Sequence, residues 1–218
     1  MISGTTGAIR GLVLAAALAG WLAPAPAAAA ADSAGATVGR FQQALLGVMK
    51  QAKALGIRGR FDRLVPVVEQ SFNLPVMIAT ASAPYWKAGT EDQRARLVTA
   101  FRRMSIASAA TLFDDYGGQS FRTLGERKGR GPVMLVDTQI VQPKDDPVTI
   151  TYVVAQIRGR WWIVDIVVAG GISEITVRRS EYLALLKEGG LDRLVAALER
   201  KADNLLAGRE KARAEGVR

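Results

Sequence analysis

Asp137 and Asp165 stand where a charge is expensive. Asp137 interrupts the alternating run Met134, Val136, Thr138, Ile140, and Asp165 sits amid Trp161, Trp162, Ile163, Ile166, Val167 and Val168. A carboxylate in such surroundings either has its pKa raised, which makes a general base, or finds a partner. An enzyme built on these residues would use Asp165 or Asp137 as base and Tyr152 as acid. The structural alternative pairs Asp165 with Arg178 or Arg179, and it is the stronger one because buried charges need partners. Asp114-Asp115 and Asp145-Asp146 resemble acid pairs. Adjacent residues point apart on a helix, and the second pair lies between prolines, so solvated or capping roles fit them better. The chain has no Cys and no His. Thiolate nucleophiles, disulfides, imidazole triads and Cys or His zinc sites are therefore excluded. There is no phosphate-binding glycine loop, EF-hand pattern or GxSxG elbow. Neither a metal nor a cofactor is expected, and Gly117-Gly118 and Gly170-Gly171 read as breaks.

The elements that would carry these residues fall into three groups. Val38, Phe41, Leu45, Val48, Ala52 and Leu55 recur at helical steps, and Gly56 is the predicted stop. Phe61 to Phe72 predicts a second helix, with Pro66 admitted only in a first turn or at a kink. Pro75 can open a short apolar helix within Leu74 to Ala81. Thr90-Glu91-Asp92-Gln93 is a capping box, and the helix it starts is expected to run to about Asp114. Leu97, Phe101, Met104, Ser108, Thr111 and Leu112 line one face of that helix. Its middle, Ser105 to Ala110, is dominated by small residues, which means close helix packing or room for something other than protein. Strand patterns follow at 120–127, 132–142, 148–154 and 161–168, joined by short turns that make them antiparallel neighbours. Glu174 to Lys187 and Leu191 to Leu206 are helical, split by Gly189-Gly190. The fold class is α+β: a curled antiparallel sheet of about four strands packed against N- and C-terminal helices. Val133, Leu135, Val153, Ile157, Val164 and Ile166 make the second sheet face apolar too, and such a sheet can curl round an apolar cavity. One domain is expected over 32–208, with a charged tail over 209–218.

The first 31 residues hold a single charge, Arg10, then an apolar run of 11 residues from Leu12 to Leu22, then Pro24, Pro26 and Ala27 to Ala31. This is the pattern of a secretory signal peptide over 1–31, too short to span a bilayer. The reading is an exported, soluble protein of the periplasm. With 29 Lys and Arg against 20 Asp and Glu in 218 residues, the formal charge is +9. Basic pairs recur along the chain, among them Arg127/Lys128/Arg130 and Arg158/Arg160. Export argues against nucleic acid as the partner and favours an anionic membrane surface or a lipid phosphate.

The segment Tyr85-Trp86-Lys87-Ala88-Gly89-Thr90-Glu91-Asp92-Gln93, with Phe101 and Tyr116-Gly117-Gly118-Gln119, resembles the MlaC-type phospholipid-binding family, also called toluene-tolerance auxiliary proteins. So does Trp161 to Val168 with Gly171-Ile172-Ser173 and Arg179-Ser180-Glu181-Tyr182. The likeness spans roughly residues 36 to 200, and within the family it is nearest the branch associated with hopanoid biosynthesis, HpnM. Arg178 in place of the usual Tyr, Ala169 in place of an acid and the Gly170-Gly171 doublet depart from the family pattern. The resemblance implies a periplasmic carrier, without catalytic activity, that shuttles phospholipid or hopanoid between an inner-membrane ABC transporter complex with an MCE-domain subunit and an outer-membrane acceptor.

The physical case for a carrier stands beside the resemblance. A chain of about 16 carbons loses on the order of 12 kcal/mol on entering water, at about 0.8 kcal/mol per methylene. A shuttle must therefore offer an equally apolar cavity, at the upper end of the usual ~300–1,000 Å³ or beyond. The candidate lining is Val76, Met77, Phe101, Met104, Leu112, Met134, Val136, Ile150, Tyr152, Val154, Ile163 and Val167, each of which also suits an ordinary packed core. Two alternatives stay open: a cone-fold enzyme acting on a small apolar substrate, and a ligand-free adaptor subunit.

Overall fold

The computed structural model describes residues 33–168 and 171–208. The leader, the charged tail and the Ala169-Gly170 part of the departures noted above lie outside them. Ser33 caps the first helix, α1 (Ala34–Lys50), its hydroxyl accepting from Ala36 N at 3.1 Å. Gln51 separates it from α2 (Ala52–Ser71), and Gly56 kinks α2 with φ 59°, a left-handed value that favours glycine. The helix expected to stop at Gly56 thus ends at Lys50, six residues earlier, and Gly56 serves as a kink. Pro66 lies well inside α2, beyond any first turn, and Gly56 is the residue of α2 with non-helical dihedrals. The chain tolerates it because Pro66 is on the exposed side, where water can serve the carbonyl left without a donor.

Asn73 caps α3 (Leu74–Ala81), and α4 (Tyr85–Ala88) is a single turn. The capping box is present as read: Thr90 Oγ1 accepts from Gln93 N, and Gln93 Oε1 accepts from Thr90 N. It opens α5 (Glu91–Leu112), which stops two residues short of Asp114. Strands β1 (Ser120–Lys128), β2 (Val133–Val141), β3 (Val148–Ile157) and β4 (Arg160–Val168) follow, and a two-residue β5 (Ile172–Ser173) makes a fifth. All pair antiparallel in sequence order, leaving an open sheet rather than a closed barrel. The last helix, α6 (Glu174–Leu206), breaks at Gly189 and at Gly190, φ 61°, where the sequence placed a split.

One apolar core joins the helices to one face of the sheet, with Val136, Val154 and Ile163 fully buried against helix residues such as Val38, Leu64 and Ile78. The chain running from α2 into α3 is stitched to the sheet by Asn73 N donating to Ile163 O at 2.9 Å. Two one-residue bulges alter which side chains face that core. Thr123 pairs with Thr138 but Gly125 pairs with Asp137, so Leu124 is the extra residue in β1. Val154 pairs with Ile163 but Val153 pairs with Asp165, so Val164 is extra in β4. Among the described residues no helix is long and apolar enough to cross a membrane.

Candidate functional site

Helices and sheet part at one end of the core, leaving a pocket of about 620 Å³. Its floor is built by register. Tyr152 faces Ile166, Ile150 faces Val168, and Ile140 faces Val148. These pairs, with Phe121, form an apolar surface on the inward side of the sheet. The walls are helical stripes at three- and four-residue spacing: Phe41, Leu45 and Met49 from α1, Leu64 and Val68 from α2, and Phe101, Ser105, Ser108 and Leu112 from α5. Phe72, Leu74 and Met77 close the inner end. The small residues Ser105, Ser108 and Ala109 explain why the space stays open, since side chains this short do not reach the sheet. Their helical neighbours Ile106, Ala107 and Ala110 are buried. The small-residue stretch therefore serves both of its readings at once.

Polar groups gather where β1 and β3 begin and β2 and β4 end. Asp114, Asp115, Gln119, Gln142, Glu174 and Arg178 line the pocket there, and Leu112 beside them is largely exposed. Arg178 lies 3.5 Å from Glu174 and 3.8 Å from Glu181, and Asp115 lies 3.3 Å from Lys53. Deeper in, Phe41 meets Phe72 edge-on at 4.9 Å and Tyr152 at 6.1 Å. The Tyr152 phenol contacts the Gln42 side chain, which itself donates to Thr138 Oγ1 at 3.1 Å. Thr138 in turn donates to Ile150 O. One end is thus wet and charged, and the other is greasy with its few polar atoms satisfied, the arrangement an amphiphile needs.

Of the residues named from sequence, Met77, Phe101, Leu112, Ile150 and Tyr152 line this pocket. The other seven sit elsewhere, each for a physical reason. Val76 points outward from α3 and is exposed. Met104 is fully buried, its sulfur in contact with Ser108 Oγ and the Arg178 guanidinium. Val136, Val154 and Ile163 face inward but lie in the half of the sheet that the helices cover completely, and Met134 is half-buried at its margin. Val167 is turned away because the bulge at Val164 reverses parity, so that Ile166 and Val168 face the pocket instead. The same bulge brings Ile166 off the second face, to which strict alternation assigns it. The volume is also mid-range for a ligand site, not the upper end that was expected. Sequence reasoning missed the α1 and α2 stripes. Their spacing was visible, but nothing in it marked them as facing a vacancy.

Neither aspartate opens into the pocket. Among the described residues Asp165 pairs with no arginine. It accepts from Ile166 N at 2.8 Å, from Ser173 Oγ at 2.6 Å and from Ile175 N at 3.1 Å, tying β4 to the first turn of α6. Asp137 lies on the outer face, accepting from Thr151 Oγ1 and Arg127 Nε. The Thr151 hydroxyl first, and Arg127 after it, hold the Asp137 carboxyl below its ordinary value against some desolvation, while burial pushes the Tyr152 phenol up to about 12. A base that is harder to protonate and an acid that is harder to ionise suit proton transfer at neutral pH poorly. Because the folded pKa of Asp137 is depressed, its contribution to stability is present above the unfolded value and is lost as pH falls through the folded one. Asp137→Asn should therefore cost roughly 1 kcal/mol at neutral pH and almost nothing in acid below both values. Thermal melts of both proteins across that range check this, and a pH-independent difference would refute it.

A profile of the MlaC protein family matches residues 40–200. The chain belongs to the MlaC family. Among solved structures, the phospholipid-binding protein from Ralstonia solanacearum, determined in complex with a phospholipid, superposes with a TM-score of 0.71. It is 18% identical, and the match covers 79% of this chain and 98% of that one. At that identity the likeness shows a shared fold. The MlaC assignment agrees with the mixed helix-and-sheet architecture and with the Trp161 to Val168 and Tyr85 to Gln93 segments, which form β4 and the α4–α5 junction of this chain.

Proposed function

We propose that this MlaC-family chain is a non-catalytic lipid carrier that takes the acyl chain of a phospholipid into the 620 Å³ pocket and leaves the headgroup at the charged end. The observation that carries this reading is the pocket's polarity gradient: aromatic and aliphatic side chains inside, carboxylates, amides and Arg178 at one end. Family membership and the phospholipid found in the Ralstonia solanacearum protein support it. Burying about 16 carbons offsets on the order of 12 kcal/mol of exposure to water, which is the barrier a shuttle between membranes has to remove. On this reading the traffic runs through the periplasm, to which the leader pattern points, between the partners that the family resemblance implies: an inner-membrane ABC transporter complex with an MCE-domain subunit and an outer-membrane acceptor. A hopanoid is a second cargo compatible with the same apolar walls, on the strength of the HpnM-like sequence.

The test is native mass spectrometry and solvent extraction of the protein purified from a bacterial host. One phospholipid per folded chain is expected, with vesicles able to replace it. Protein that carries no lipid and takes none up from vesicles overturns the carrier reading. A polycyclic extract in place of a phospholipid would transfer the cargo assignment to the hopanoid.

A further inference from the structure

Basic residues that are scattered in sequence are brought together by the sheet. The turn between β1 and β2 and the turn between β3 and β4 lie at the same end, because Val133 faces Ala155 across β2 and β3. Gln156 N donates to Pro132 O at 2.8 Å, joining the two turns directly. Two strand spacings separate them, roughly 10 Å. This end therefore carries Lys128, Arg130, Arg158 and Arg160, and it is the end away from the pocket's charged groups.

Three features set these cations apart. Lys128, Arg130 and Arg158 are exposed, and the ion pairs among the described residues do not involve them. By contrast, neighbouring Arg127 is bound to Asp137. Arg158 occupies a left-handed position, φ 52°, ahead of Gly159 at φ 80°. A tight hairpin turn of this kind favours Asn or Gly there, and a long side chain is disfavoured. Arg158 makes no ion pair among the described residues that would offset this backbone cost. Finally, the Arg160 guanidinium stacks over Trp162 at 3.9 Å, placing an amphipathic aromatic ring beside the cations.

We propose that this turn end is a contact surface for an anionic phospholipid bilayer. Unpartnered cations are satisfied by a plane of anions, each gaining about a fivefold increase in partition near such a surface, and a tryptophan ring is at home at the headgroup level. A protein partner fits less well. Gly129, Gly131, Pro132 and Gly159 supply no large side chain for the buried centre of a protein interface, and the Trp162 ring beside them is half-buried under Arg160. Bilayer anions diffuse to meet the cations and require no such fit. The proposal does not rest on the pocket's cargo, because the pocket's polar end is turned the other way.

Co-sedimentation of the full chain with phosphatidylcholine vesicles, with and without about a third phosphatidylglycerol, tests it. Binding is expected only with phosphatidylglycerol and should weaken as salt rises. The triple variant K128Q/R130Q/R158N should bind roughly a hundredfold more weakly at low salt while keeping its co-purified lipid. Arg158→Asn alone should melt no lower than wild type, which separates lost charge from lost fold. Ser108→Trp, with the pocket filled, should sediment as wild type does. Wild-type indifference to phosphatidylglycerol, unchanged binding by the triple variant, or loss of binding on filling the pocket would each overturn the proposal. Retention on an immobilised acidic polypeptide without vesicle binding would overturn it in favour of a protein partner.

Discussion

Replacing Ser108 by Trp is expected to leave the protein folded and almost free of lipid. Ser108 stands on the pocket wall of α5, and its side chain does not fill the space in front of it. An indole there occupies volume that the acyl chain needs. If the chain is shortened inside the pocket by four methylenes, the loss is about 3 kcal/mol at ~0.8 kcal/mol each, over a hundredfold in affinity. Met104→Trp is the matched control. Met104 is one turn away on the same helix and fully buried outside the pocket. Enlarging it overpacks a filled core, at about 1–3 kcal/mol, or several degrees in Tm for a chain of this size. Lipid per folded molecule should hold for Met104→Trp and collapse for Ser108→Trp, while Tm behaves the opposite way. If the two variants behave alike, the pocket is merely loosely packed core and the carrier reading fails.

The contrast between these two residues also shows what the sequence could reveal. Helical periodicity put Met104 and Ser108 on one face of α5, and both do lie on the side of the helix that meets the rest of the protein. Periodicity says which side of a helix is inward. It does not say whether the inward space is filled. That depends on how far each side chain reaches toward elements distant in sequence, here a sheet beginning at Ser120 and a first helix beginning at Ala34. The sheet face was legible by the same logic for Ile150 and Tyr152, because β3 alternates without interruption where they sit. It failed for β4. Apart from Asp165, Trp161 to Val168 is apolar on both faces, so alternation alone does not mark the bulge at Val164, and a single extra residue moves Val167 out and Ile166 in. The caps and breaks were more readable because they are local: Thr90 with Gln93, and Gly189-Gly190, act on backbone within a few residues of themselves. Asp165 was legible as a residue that must be satisfied, but not by what. Its partners are backbone N–H groups and a serine at the start of α6, groups that composition does not distinguish.

Arg60 is the residue whose role was hidden most completely, and its removal carries the largest expected loss of stability. In the sequence it belongs to an ordinary basic run with Arg58 and Arg63, both of which are exposed. In the structure Arg60 is buried. Its Nη1 donates to Ala52 O at 2.9 Å, across the kink at Gly56, and its Nε donates to Ala110 O at 2.7 Å, near the end of α5. One guanidinium thus fixes the angle between the two parts of α2 and holds α5 against them, with Ala109, the neighbour of its acceptor, on the pocket wall. Arg60→Met preserves much of the apolar stem but withdraws both donors. Each carbonyl left buried without a donor costs about 1–3 kcal/mol, so the variant should lose roughly 2–6 kcal/mol, on the order of 10 °C in Tm. Arg60→Lys should recover only part of this, because a single ammonium cannot reproduce a planar fork aimed at two carbonyls. Arg58→Gln and Arg63→Gln, on the exposed side of the same helix, should fall within about 0.5 kcal/mol of wild type. Urea denaturation of the four variants decides the matter: equal midpoints for Arg60→Met and Arg58→Gln would mean that the clamp contributes nothing. Because α5 also walls the pocket, any Arg60→Met protein that still folds should bind lipid less tightly, through a wall that is no longer held in place.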